Sequence, residues 1–118
     1  MQITIDMKFT EEQLEYLKNL LQPIIGDAVD FLMMYGLGLK FKPEQIEHIL
    51  QDILDLHSHF ELDIFSEEQQ LFLKDLVFNK VQMAYWTLSE IAAGREIGMR
   101  HIDMAVDGVK AVWDKLFK

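Results

Sequence analysis

The 118-residue chain contains no cysteine. Disulfide bonds, thiolate nucleophiles and cysteine-ligated zinc are therefore excluded. Arginine is nearly absent, Arg95 and Arg100 being the only two. No basic strip with interleaved aromatics exists, and 20 acidic against 11 basic side chains give a formal charge of −9. Phosphate binding is driven by cation neutralisation, so direct contact with nucleic acid or an anionic membrane surface is not expected. Long apolar runs are missing too: the oiliest stretch, residues 24–39, is broken by Asp27 and Asp30 and is too short to span a bilayer. The opening MQITIDMKF has neither the basic nor the apolar part of a secretion signal, which makes a cytoplasmic location the expectation. Ser58, Ser66 and Ser89 sit in no nucleophile-like turn, and GLGL at residues 36–39 lacks the Lys and Ser or Thr of a phosphate loop.

What is present is apolar surface and helix punctuation. Half of the residues are hydrophobic, enough for one core at this length but not for two, so a single helical domain over 1–118 is expected. A related phrase recurs three times: FTEEQ at 9–13, FKPEQ at 41–45 and FSEEQ at 65–69. Thr10 with Gln13, and Ser66 with Gln69, have the spacing of a capping box. Pro43 suits the first position of a helix, where its missing N–H costs nothing. Phe9 with Leu14 and Phe41 with Ile46 have the spacing of a hydrophobic staple. The phrase marks three helix starts.

The pattern as a whole predicts a mainly α, compact bundle of four to five helices, at about 10–22, 24–35, 43–60, 66–93 and 98–117. The break after residue 22 is expected because Pro23 cannot continue the hydrogen-bond ladder. Alternation of apolar and polar residues over 2–8 and 37–42 allows a short two-stranded β ribbon. In the third segment Ile46, Ile49, Leu50, Ile53, Leu54, His57 and Phe60 share one face, with His57 in the middle of the oily stripe. The fourth segment is apolar nearly all round, which suits a central helix or one shared with a second subunit. FTEEQLEYLKNL and FSEEQQLFLKDL align at an offset of 56, but the likeness fades beyond Leu20 and Leu76. Shared capping chemistry is favoured over duplication of a helical unit.

Two sets of side chains carry metal-ligand spacing. His48, Asp52, Asp55 and His59 are four, three and four residues apart, on the helix face opposite the apolar stripe. Glu11, Glu12 and Glu15 form EExxE, and Asp27 with Asp30 forms DxxD within GDAVDFLMMY. Over residues 11–35 this resembles the all-α nucleotide pyrophosphohydrolases of the MazG type. That resemblance implies Mg2+ held by Glu12, Glu15, Asp27 and Asp30, with water activated against a nucleoside triphosphate. The gap between the motifs is shorter than in that family, and Asp27 stands where it has glutamate.

The residues themselves favour a different reading. Phe72, Met83, Trp86 and Trp113 lie on helices with two oily faces, and together with His57 they are candidate interface residues. The expectation is a non-enzymatic, acidic protein–protein interaction module without a cofactor, an adaptor or an inhibitor that mimics nucleic-acid charge. Its partner would be another protein with a basic surface, and a homodimer is expected. Size and the lack of signatures suit a phage or mobile-element accessory protein. The alternatives are the Mg2+-dependent pyrophosphohydrolase and a His/Asp metal-binding helical bundle.

Overall fold

The computed structural model describes residues 8–117. They form four helices: α1 (Glu11–Gly36), α2 (Pro43–Phe60), α3 (Glu67–Ala92) and α4 (Met99–Phe117). Each of the three recurring phrases opens a helix. Thr10 Oγ1 accepts from the Gln13 N–H at 3.1 Å while Gln13 Oε1 accepts from the Thr10 N–H at 2.9 Å, and Ser66 with Gln69 repeats this at 3.1 and 2.9 Å. Both boxes satisfy N–H groups that a helix terminus otherwise leaves orphaned. At the start of α2 Gln45 Oε1 takes the Lys42 N–H at 2.8 Å.

One predicted break does not occur. Helix α1 runs straight through Pro23, which lies inside it. A proline within a helix costs about 3 kcal/mol. Burial of Leu17 and Leu21 before it, and of Ala28 and Leu32 after it, holds both segments on one core and outweighs that cost. Residues 37–42 form a turn and lead-in with no strand, and there is no strand among the described residues. The partner strand proposed for 2–8 lies, apart from Lys8, outside them.

The bundle is antiparallel, and each helix packs against the next, with α4 closing back onto α1. Its extents of 41 × 33 × 19 Å make it two helix layers thick. Helix α3, apolar nearly all round, is covered on two sides by α2 and α4 of its own chain. In α2 the buried residues are Ile46, Ile49, Ile53, Leu56 and Phe60. The stripe is thus rotated from the predicted one. Leu56 replaces Leu54 in the core, and His57, expected in the middle of the oily face, is exposed.

The alignment at offset 56 proves to extend over the whole fold. Helices α1 and α3 have 26 residues each, with starts, caps and buried positions in step: Leu17, Leu21, Ala28 and Leu32 match Leu73, Val77, Ala84 and Leu88. Both helices are followed by a glycine of positive φ, Gly38 at 95° and Gly94 at 83°, a conformation that side chains disfavour. The next N–H returns to an equivalent carbonyl in each case, Leu39 to Met34 at 3.1 Å and Arg95 to Glu90 at 3.0 Å. In α2 and α4 Ile46, Ile49, Ile53 and Leu56 match Ile102, Ala105, Val109 and Val112. Beyond Leu20 and Leu76 the residue identities diverge while the register persists. The chain is a structural tandem repeat of a helical hairpin.

The repeats meet at a pseudo-two-fold axis. The amides of Gln13 and Gln69, 56 residues apart, donate to one another at 3.0 Å in both directions. Each also reaches across to the lead-in of the other repeat: Gln13 Nε2 donates to the Ile64 carbonyl, and Gln69 Nε2 donates to that of Lys8. Phe9 and Phe65 meet edge-on at 6.2 Å, flanked by Phe72 on Phe9 at 6.1 Å and Tyr16 on Phe65 at 5.9 Å. The residues expected only to cap and staple single helices therefore also join the two hairpins.

Candidate interaction surface

The first metal set lies along the continuous α1. Glu12 and Asp27 lie fifteen residues apart on one helix, about 22 Å along its axis. Glu12, Glu15, Asp27 and Asp30 are all exposed, and one chain does not bring the two pairs together. The second set, His48, Asp52, Asp55 and His59, is also exposed along α2, and three of its members have separate neighbours. The His48 ring lies 6.4 Å from Phe31, Asp55 accepts from Gln51 at 2.9 Å, and His59 Nδ1 is 3.4 Å from the Tyr16 hydroxyl. Among the described residues no three His, Asp or Glu side chains are grouped to hold a metal ion.

The expected interface residues divide. Phe72 is half-buried in the ring cluster at the pseudo-two-fold axis, so its packing is internal. Trp113 is half-buried against Phe117, with ring centroids 4.3 Å apart. It lines a shallow depression between α1 and α4 together with Asp30, Lys110 and Asp114. His57 lies in the open on α2.

Met83 and Trp86 do lie together. They line a cleft of about 650 Å³ between α3 and α4, with Lys80, His101, Met104 and Gly108. The Trp86 ring is tilted against His101 at a centroid distance of 5.7 Å. At the base of this region α3 and α4 approach so closely that a Cβ on Gly108 would lie 2.1 Å from the Lys80 carbonyl oxygen. Only glycine permits that contact. No carboxylate lines the cleft, and Met83, Trp86 and Met104 form its apolar wall.

Leu71 and Phe78 on α3, and Met104 on α4, are further exposed apolar residues, which the apolar pattern of a single helix does not distinguish from core. A comparison of the two halves at offset 56 would have found them, since their counterparts are Glu15, Gln22 and His48.

Two ion pairs lie among the described residues. Lys74 pairs with Glu61 at 2.7 Å, and its hydrogen bond and charge hold the Glu61 carboxyl below the usual carboxylate range. Arg95 pairs with Glu90 at 2.7 Å just past the end of α3. No described helix is long and apolar enough to cross a membrane. Comparison with protein families, with curated proteins and with solved structures finds no match for this chain.

Proposed function

We propose that the chain is a non-enzymatic, acidic interaction module, an adaptor or inhibitor that acts by docking on another protein. The observation that carries this reading is the cleft between α3 and α4, walled by Met83, Trp86 and Met104 on a bundle whose core is already complete. Methionine and tryptophan supply adaptable and rigid apolar contact area, and both are favoured where a partner must be held. The net charge of −9 supports a basic partner, drawn in by long-range attraction. Exposed Glu44, Glu47, Asp52 and Asp55 along α2 give an acidic helix face suited to a groove that otherwise holds nucleic acid.

The test is affinity capture from the source cell on immobilised wild-type chain and on a Trp86→Ala/Met104→Ala variant, each at low and high salt. A partner retained by the wild type, lost with the variant and weakened by salt is the expected result. Recovery of no partner by the wild type at low salt would sink the reading.

A further inference from the structure

The two repeats act as an internal control for the outer face of α3. At three exposed positions α1 carries Glu15, Gln22 and Asp30. The equivalent positions of α3 carry Leu71, Phe78 and Trp86, which are 62%, 61% and 45% exposed. The helices share length, caps and buried register, so the fold does not require apolar side chains at these positions. Leaving them in water is unfavourable, at about 25 cal/mol per Å² of apolar surface. The α1 residues show how the same scaffold avoids that cost.

Leu71, Phe78 and Trp86 follow at seven and eight residues, two helical turns each, and form a stripe about 22 Å long. The exchange runs the other way at the first connection, where Leu37 and Leu39 are exposed opposite Ala93 and Arg95. That region is a turn and offers no helix-long stripe.

We infer that this outer face of α3 docks a basic amphipathic helical segment of another protein, with oily residues at helical spacing flanked by lysine or arginine. The inference rests on the interaction-module reading and specifies its partner. Glu68, Asp75 and Gln82 share the exposed side with the stripe, so it carries two carboxylates. Lys74, at its margin, is already tied to Glu61, while Lys80 and His101 lie beside Trp86 at the far end, so the carboxylates act on the Leu71–Phe78 half of the stripe. Apolar anchors beside carboxylates match an apolar helix face beside cations. A helix of four turns covers the stripe. A second copy of this chain fits less well, because it would bring Glu68, Asp75 and a further charge of −9 against the same groups.

The test uses a labelled model peptide of about fifteen residues, the length that spans the stripe. Leucines stand at helical spacing with lysines elsewhere, and a second peptide carries glutamates in place of the lysines. Binding is read by fluorescence anisotropy. The triple variant Leu71→Gln/Phe78→Gln/Trp86→Gln keeps the net charge and so reads the apolar stripe alone. Glu68→Gln/Asp75→Asn reads the charges. The lysine peptide is expected to bind the wild type, to weaken at least about tenfold on the triple variant, and to show a shallower salt dependence on the charge variant. Equal affinity for wild type and triple variant overturns the proposal, as does preference for the glutamate peptide. Dimerisation of the wild type that the triple variant loses, without peptide binding, assigns the face to a second copy and also overturns it. Circular dichroism checks folding; Trp86→Asp alone, the residue α1 carries at that position, replaces the triple variant if it unfolds. Capture of the cellular partner by the folded triple variant would leave the module reading standing and remove this face from it.

Discussion

The α1–α2 and α3–α4 hairpins share a register but not a packing distance. Helices α3 and α4 pack extensively, because Gly108 brings a bare backbone against the Lys80 carbonyl. The counterpart of Gly108 in the first hairpin is Asp52, and that of Ala105 is the larger Ile49. Between α1 and α2, Phe31 meets Phe41 at 4.7 Å and His48 at 6.4 Å, three rings at positions where the second hairpin has Thr87, Ile97 and Met104. Large side chains hold α1 and α2 apart, and small ones let α3 and α4 close. The contacts between hairpins, α1 on α4 and α2 on α3, are comparable in extent. One scaffold therefore tolerates two internal spacings as long as the inter-hairpin core is kept, which leaves each hairpin's outer surface free to diverge.

The comparison breaks most sharply at Gly108. Gly108→Ala puts a Cβ against a backbone oxygen that cannot swing aside, and a loss of about 3 kcal/mol is expected despite the better helix propensity of alanine. Asp52→Ala at the equivalent site should change stability by less than about 0.5 kcal/mol; urea unfolding of both variants measures the contrast. The pseudo-two-fold axis is tested by Gln13→Leu and Gln69→Leu. Each single change removes the bonds between the two amides, a capping-box acceptor and the reach to the other repeat's lead-in; it should cost about 1–2 kcal/mol, alike for the two, and the double variant should lose less than the sum because the amide pair is lost only once. Unequal single losses, or strict additivity in the cycle, would count against a shared axial pair.

At Thr87 the expected sign is positive. Its hydroxyl is fully buried with no hydrogen-bond partner among the described residues, and the equivalent residue Phe31 has no such group. Thr87→Val keeps the shape, removes the unsatisfied oxygen and should raise stability by up to about 1 kcal/mol, read as a higher thermal midpoint. The smallest effect concerns the link between hairpins. A carboxyl held below its usual range adds stability above its unfolded pKa, which is lost as pH falls through the folded value. Glu61 is such a group and it is exposed, so Lys74→Met should return its NMR titration to the ordinary carboxylate range with little change in midpoint.

Helix starts were legible because they depend on residues three apart in the chain: Thr10 with Gln13, and Ser66 with Gln69. The amphipathic character of α2 was equally local. Pro23 misled because its local preference opposes helix, while the core contacts that override it come from other helices. Leu54 and His57 misled for a related reason. A helical wheel gives a stripe of the right width, but the neighbouring helices choose which edge of it is buried. The repeat is half-visible: Phe9 to Gln13 and Phe65 to Gln69 differ only in Thr10 against Ser66 and show it, whereas Tyr35 against Ile91 does not. The resemblance that implies magnesium ligands rests on two short motifs, and a continuous α1 carries those two carboxylate pairs at separate places along one helix.

By itself the sequence determined that this chain is helical, where three of its helices begin, that it lacks thiol chemistry, and that its surface is acidic. Those properties follow from composition and from interactions within a few residues. The tertiary structure alone decided that α1 is one helix, that Gln13 and Gln69 face each other across an axis, and that Leu71, Phe78 and Trp86 are left in water. Each of these depends on which surfaces of distant segments are mutually buried, and no local periodicity encodes that choice.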